Sequence, residues 1–334
     1  MRVLPIVPTP PSRTCLTADG RIKDTPANRA LVPEVTSQAD FDHAAHALDA
    51  VYADPYAILL AGDAVQRLQQ LVSLGVRVDC IVTSPPYYGQ RNYGIAGQYG
   101  LEAHPAAYLD QLVRVFSLCW DVLRDTGSLW VNLGDTYWSG KGAHQSAESK
   151  QGARRFGVRP QDHPGDGRWA RPKQLLLLPH RLAIALQDSG WLVRNDNVWV
   201  KPHPVPDQVR DRCAASHEYV FHFTKSRWYY FNRTAVGRTL PSGRLMPPRD
   251  TWQVPPASGS GNHRATFSEE LVRLPILATT PPQGLVLDPF TGSGTSMILA
   301  KKYGWRSIGI DISPAYCHEA ALQLARILPW PMDS

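Results

Sequence analysis

Residues Gly284-Leu285-Val286-Leu287-Asp288-Pro289-Phe290-Thr291-Gly292-Ser293-Gly294-Thr295-Ser296 read as a buried strand, a glycine turn and the start of a helix. Leu285 to Asp288 is a short apolar run, and Met297 to Lys302 carries good helix formers. Gly292 and Gly294 permit close backbone approach and left-handed φ, while Ser293, Thr295 or Ser296 can cap the following helix. A further strand is expected at Arg306-Ser307-Ile308-Gly309-Ile310, ending at Asp311. An acid about 20 residues beyond the glycine turn suits hydrogen bonds to a ribose diol. Thr-Ser-Met follows Gly294, so the third glycine of G-x-G-x-x-G is missing and a pyrophosphate is not demanded. G-x-x-x-x-G-K-[ST] is absent as well, which excludes a P-loop. Asp288 beside the turn would repel a phosphate and attract an amino group. The stretch therefore reads as a strand-turn-helix unit for a nucleotide cofactor.

Outward from this unit, strands and helices alternate. Strands are expected at 57–61, 78–83 and 127–133, with helices at 64–74 and 105–123 between them. A helix at 175–188 and two antiparallel strands at 191–200 and 218–224 follow. Such alternation implies an α/β fold, a single Rossmann-like domain with a mainly parallel sheet and helices on both faces. Residues 1–54 lack sustained periodicity apart from one short amphipathic helix within Phe41 to Tyr52, and read as a partly disordered arm. The catalytic domain is then 55–334. Two irregular insertions interrupt it. Residues 139–172 are rich in Gly, Lys, Arg, Gln and His with almost no aliphatics, and read as an exposed loop; 231–262 are proline-rich and carry Arg233, Arg238, Arg244 and Arg249.

The strand at 78–83 runs into a second motif, Asp79-Cys80-Ile81-Val82-Thr83-Ser84-Pro85-Pro86-Tyr87-Tyr88. Two consecutive prolines fix φ and lack N–H groups, which leaves the Ser84 and Pro85 carbonyls free to accept from a ligand. A hydroxyl and an aromatic face lie beside them. An exocyclic amino group of cytosine or adenine is a poor nucleophile, because its lone pair is delocalised into the ring. Acceptors on its hydrogens localise that lone pair toward a methyl donor. The methylated nitrogen is strongly acidic, so its proton can leave through Ser84 or water without a dedicated strong base. Tyr87 would stack on a base taken out of the helix, since a duplex hides the target atom.

Together the two motifs resemble the S-adenosylmethionine-dependent DNA amino-methyltransferases that make N4-methylcytosine or N6-methyladenine. S-P-P-Y precedes the glycine turn, which is similar to the β order of motifs in that family. The resemblance spans roughly residues 57 to 325 and implies catalytic roles for Ser84, Pro85, Pro86 and Tyr87. Leu59-Leu60-Ala61-Gly62-Asp63 resembles the strand whose terminal acid lies near the cofactor adenine, and Thr83 precedes the catalytic motif. Ser128 to Asp135 resembles the next sheet strand, and Leu178 to Ala183 with Gly190-Trp191 a later helix and strand. His263 to Leu271, with Thr266 and Phe267, resembles the element that closes over the methionine end; Ser268 stands where a proline is usual. From the glycine unit the resemblance implies cofactor contacts by Asp288, Phe290, Gly292, Gly294, Thr295 and Asp311. Trp199 to Pro204 and Arg210-Asp211-Arg212 resemble a loop on the catalytic face, where Lys201 or His203 holds the target base opposite Tyr87.

Composition agrees with this reading. The chain has 334 residues, 43% of them hydrophobic, enough for one large α/β domain. Its net charge of +6 has the sign a phosphate-binding surface needs. Both insertions, 139–172 and 231–262, are candidates for recognition of double-stranded DNA, with Arg154 and Arg155 in the first placed either at base edges or at phosphates. Cys15, Cys80, Cys119, Cys213 and Cys317 show no paired spacing, as expected of reduced thiols in a cytoplasmic protein of bacterial, archaeal or phage origin. Cys213-x3-His217 and His43-x2-His46 lack the remaining ligands of a zinc site, so no metal is expected. No N-terminal stretch is apolar enough for a signal peptide or membrane span. The resemblance allows a homodimer and a separately encoded restriction endonuclease as partners. In the family the chain resembles, Ser-Pro-Pro leans toward cytosine and Asp-Pro-Pro or Asn-Pro-Pro toward adenine. The resemblance therefore implies cytosine N4 from Ser84, with adenine N6 the alternative because pocket size rather than the hydroxyl can decide the base. A non-catalytic DNA-binding protein would fit a damaged glycine turn. A nicotinamide-dependent oxidoreductase would use the turn and Asp311 but leaves S-P-P-Y without a role.

Overall fold

Apolar strands buried along almost their whole length form the centre of a nine-stranded sheet. The computed structural model describes residues 36–140, 159–204, 209–255 and 268–329. In chain order the elements are α1 (Gln38–Ala47), β1 (Tyr52–Asp54), β2 (Ala57–Ala61), α2 (Ala64–Ser73), β3 (Val78–Thr83), α3 (Pro105–Val122) and β4 (Leu123–Leu133). Then come α4 (Leu178–Asp188), β5 (Leu192–Val200), β6 (His217–Thr224), α5 (Arg233–Val236), β7 (Arg238–Thr239), β8 (Leu245–Met246) and β9 (Thr251–Gln253). The last elements are α6 (Glu269–Thr279), β10 (Leu285–Asp288), α7 (Thr295–Lys302), β11 (Arg306–Asp311) and α8 (Pro314–Leu324).

The sheet order is β1-β2-β11-β10-β3-β4-β6-β5-β9. Neighbours from β2 to β4 are parallel; β6 runs antiparallel to both β4 and β5, and β1 closes the other edge antiparallel to β2. Alternate residues of each strand feed two helical layers. Ile58, Leu60 and Ile81 pack with Leu68, Leu71, Leu112 and Phe116 of α2 and α3. Cys80, Val82 and Val286 pack with Leu271, Val272 and Ile276 of α6, and Ala57 and Leu59 pack with Met297, Cys317 and Ala320 of α7 and α8. The period of two in the strands thus sorts each run onto both faces, as a sheet covered on both sides requires.

Three segments differ from the sequence expectation. Residues 36–54, read as part of an arm, belong to the domain: Ser37 and Asp40 form a capping box on α1, Phe41 is buried, and β1 pairs with β2. Composition cannot register that Phe41, Ala44 and Leu48 find an apolar surface to cover. Within the first insertion, 163–168, 171 and 172 are exposed as expected, but 160–162 are buried. Gln161 is fully buried and donates to the Gly89 carbonyl at 3.1 Å, while Ser139 donates to the Asp162 carboxylate at 2.5 Å. Within 231–262, β9 adds an edge strand parallel to β5 and buries Trp252. Among the described residues, no helix is long and apolar enough to cross a membrane, and no cluster of three or more His, Cys, Asp or Glu is placed to hold a metal.

Candidate active site

The carboxyl ends of β2, β11, β10, β3 and β4 open on one cleft of about 460 Å³. It lies where β10 is flanked by β11 on one side and β3 on the other, the place where an open α/β sheet leaves a crevice above its strands. S-P-P-Y and the glycine turn both line it.

One wall is built by the turn between β10 and α7. Asp288 is 2% exposed, and its carboxylate is engaged from three sides. Thr83 donates to Oδ1 at 2.6 Å, the Phe290 N–H donates to Oδ1 at 3.1 Å, and Ser296 donates to Oδ2 at 2.6 Å. Burial pushes the Asp288 carboxyl up to about 6, against the lowering effect of those hydrogen bonds. Asp311 ends β11 and accepts the Gly292 N–H on Oδ2 and the Ser313 N–H on Oδ1, both at 2.8 Å. Its carboxyl is also raised by burial. Gly292 has φ 53°, and Gly294, the N-cap of α7, has φ 89°, with a Cβ there 3.1 Å from that of Ala320. Both positions need glycine, because the left-handed region is costly for other residues.

Of the residues expected to touch a cofactor, Asp288, Phe290, Gly292, Thr295 and Asp311 line the cleft. Asp63, Thr83 and Gly294 stand behind it. Asp63 caps α2 by accepting from the Gln66 N–H at 3.1 Å, and accepts from the Tyr99 hydroxyl at 3.2 Å; Gly62 and Ala64 on either side face the cleft. Tyr99 in turn packs edge-on against Phe290 with ring centroids 5.2 Å apart. Thr266 and Phe267 lie outside the described residues. Ser268, where the resemblance leads to proline, caps α6 by accepting from the Leu271 N–H at 3.3 Å.

The opposite wall is assembled from four separate segments. Ser84 donates to Asn132 Oδ1 at 3.3 Å, and the Tyr87 hydroxyl lies 2.9 Å from the same oxygen and 2.5 Å from Glu218 Oε2. Asn132 Nδ2 donates to the Tyr219 carbonyl at 3.0 Å and to Glu218 Oε2 at 3.3 Å. Lys201 closes the network as the ion-pair partner of Glu218 Oε1, with its ammonium 4.9 Å from the centre of the Trp199 ring. Burial, then the Glu218 carboxylate, push the Tyr87 hydroxyl well above the usual phenol range. Gly134 lies against the Tyr87 ring, where a Cβ would come within 2.6 Å. The Pro86 carbonyl is taken by the Tyr108 hydroxyl at 2.9 Å.

Lys201 and His203 line the cleft, Lys201 on the same wall as S-P-P-Y through its ion pair with Glu218 rather than opposite Tyr87. Sequence reasoning missed Asn132 and Glu218. A polar residue near the end of the buried β4 run was a signal for Asn132; Glu218, alone at the start of β6, had none. Arg154 and Arg155 lie outside the described residues. The described part of their insertion carries exposed Arg168 and Arg171 beside Trp169, which stacks on the Arg181 guanidinium at 4.0 Å.

A family model described as DNA methylase matches residues 78–322. The chain belongs to this DNA methylase family. Among curated relatives of the methylase, the Type II methyltransferase M.Cfr9I of Citrobacter freundii is 44% identical over 268 residues, covering 80% of this chain and 87% of the relative. The Type II methyltransferase M.SmaI of Serratia marcescens is 37% identical, covering 81% and 90%. The fold of the methylase is shared with the solved PvuII DNA methyltransferase (cytosine-N4-specific), at TM-score 0.60 and 21% identity over 82% of this chain and 88% of that one. It is also shared with a putative DNA modification methylase from Thermus thermophilus complexed with S-adenosyl-L-methionine, at TM-score 0.51 and 24% identity over 80% and 93%.

Proposed function

We propose that this DNA methylase transfers a methyl group to the exocyclic N4 of cytosine in double-stranded DNA, with the target base turned out of the helix. The methyl donor is S-adenosylmethionine, which when bound supplies an electrophilic methyl carbon. The residues present suit it: one cleft of about 460 Å³, in the range of small-molecule sites, carries the glycine turn, Asp311 and S-P-P-Y together. Asp311 is the acceptor for the ribose diol. Phe290, Gly292 and Thr295 shape the turn around the donor, and Asp288 holds that turn from beneath through Thr83 and Ser296.

The observation that carries the choice of an amino group is the polarity at Ser84. Its hydroxyl proton is directed at Asn132 Oδ1, so its lone pairs are offered to the cleft as an acceptor. Such an acceptor draws an amino N–H and localises the nitrogen lone pair. Tyr87, pinned at its hydroxyl and backed by Gly134, presents a ring of fixed orientation for stacking on an extruded base. Ser-Pro-Pro in place of Asp-Pro-Pro or Asn-Pro-Pro, which in this family leans toward cytosine, supports cytosine as the base. His203, which lines the cleft, is available for the base edge, and exposed Arg168 and Arg171 suit flanking phosphates. The bacterial relatives support a bacterial cytoplasm as its place.

The test is mass analysis of nucleosides from duplex DNA incubated with the pure protein and methyl-labelled S-adenosylmethionine. Labelled N4-methyldeoxycytidine is expected. N6-methyldeoxyadenosine as the only product would overturn the choice of base, and an absence of label would overturn the activity.

A further inference from the structure

We infer that Ser84, Tyr87 and Glu218 form a proton relay that carries the amino proton released on methylation out of the cleft, with Glu218 as its terminus. The inference rests on the amino-methyl transfer proposed above. Its basis is a count of protons in the wall opposite the glycine turn. The Tyr87 hydroxyl has one proton and two acceptors, Glu218 Oε2 at 2.5 Å and Asn132 Oδ1 at 2.9 Å. Asn132 cannot turn its amide to supply the missing proton. Its Nδ2 is held by the Tyr219 carbonyl and the Glu218 carboxylate, and a flipped amide would set Oδ1 against both. With Glu218 ionised, the Tyr87 proton goes to the carboxylate, and the Tyr87 and Asn132 oxygens face each other without one. A proton on Glu218 Oε2 removes this conflict: Glu218 then donates to Tyr87, and Tyr87 to Asn132. The network is one proton short, and the place for it is at the far end from the cleft.

Ser84 connects that place to the substrate, because it lines the cleft and its hydroxyl converges with the Tyr87 hydroxyl on one oxygen, Asn132 Oδ1, at 3.3 and 2.9 Å. Methyl transfer leaves the amino nitrogen cationic. Its N–H bond breaks as Ser84 Oγ takes the proton; Ser84 gives its own proton to the Tyr87 oxygen, and Tyr87 gives its own to Glu218 Oε2. The cation becomes a neutral methylamine and the carboxylate a carboxylic acid, so neither a serine alkoxide nor a tyrosinate has to form. Lys201 pairs with the other carboxylate oxygen and leaves Oε2 to the chain. Glu218 is 12% exposed and can return the proton to water between turnovers. The titratable groups about it are Lys201 at the end of β5 and Tyr87 after β3. Along and behind β6 stand His217, Tyr219, Asp135 and His180.

The experiment is the single-turnover rate of methyl transfer against pH, at saturating S-adenosylmethionine and duplex DNA, for the parent, E218Q, Y87F and the double variant. The parent rate is expected to rise with pH to a plateau. E218Q keeps the size and an acceptor for Tyr87 but takes no proton. It should be slower by about tenfold or more, the scale of general acid–base effects, and lose the rising limb. Y87F should behave alike, and the double variant should be no slower than the slower single, because both break one chain. Affinities for S-adenosylmethionine and DNA should stay within about twofold, which a general disruption of the wall would not allow. E218Q with the parent rate and rising limb, or multiplicative losses in the double variant, would overturn the relay. If E218Q loses cofactor affinity, Y87F decides alone, and a parent-like Y87F profile overturns it. A parent without transfer to an amino nitrogen would overturn the proposed function itself.

Discussion

The two walls of the cleft are made in different ways. The glycine-turn wall is mostly local: Ser296 reaches Asp288 across 8 residues and Asp311 receives the Gly292 N–H across 19, while Thr83 reaches Asp288 from 205 residues away. The facing wall is made of side chains from distant segments, with Ser84 and Asn132 separated by 48 residues, Asn132 and Glu218 by 86, and Tyr87 and Glu218 by 131. Backbone N–H groups and glycine conformations dominate the first, hydroxyl, amide and carboxyl groups the second. The first is therefore a shape for holding a ligand. The second is a set of proton donors and acceptors whose order matters, and substitutions should separate binding from turnover accordingly.

The largest effect is expected from Tyr87→Ala, which removes both a stacking ring worth about 1–3 kcal/mol and the hydroxyl bonded to Asn132 and Glu218. Turnover should fall by about a hundredfold or more, while S-adenosylmethionine affinity, measured by calorimetry, stays within about twofold. An equal loss in affinity would mean that the walls do not divide the work.

Asp311→Ala should do the reverse. Loss of a charge-assisted hydrogen bond to ribose weakens S-adenosylmethionine binding by about 1.5–3 kcal/mol, with the saturated turnover close to the parent. Unchanged binding would displace the ribose from the end of β11.

The smallest effect concerns Asp288, the buried support of the glycine turn. Burial raises its carboxyl to about 6 in the folded chain, above the ordinary 3.8. The folded state therefore takes up a proton on this group as pH falls through 6, before the unfolded chain does. Stability gained from this group grows toward acid and is absent well above pH 6. Denaturant titrations should show the parent gaining about 1–1.5 kcal/mol relative to Asp288→Asn between pH 7.5 and pH 5, since each unit of displacement is about 1.4 kcal/mol. A difference independent of pH would mean that the buried carboxylate titrates in its ordinary range.

Contiguous features were legible in the amino-acid sequence. Leu285 to Asp311 folds as read, because an apolar run, two glycines and a capping residue act on one another within a few bonds. The same holds for the β3 strand into S-P-P-Y, for the alternation that makes the sheet parallel, and for the antiparallel pair β5 and β6, all of which depend on short periodicities. Tertiary structure decided what those periods do not encode. Phe41 is buried because a surface exists for it, and Gln161 because the Gly89 carbonyl lies where its amide can reach. Asp288 points inward to Thr83 because β10 and β3 are neighbours in register. Glu218 became part of the site only through the sheet. The β4–β6 register sets Asn132 against Val220 and Leu133 against Tyr219, and the β5–β6 register sets Trp199 against Glu218 with Lys201 two residues on. A carboxylate with no local motif is thereby held between Asn132, Tyr87 and Lys201, because strand register joins residues that no spacing along the chain relates.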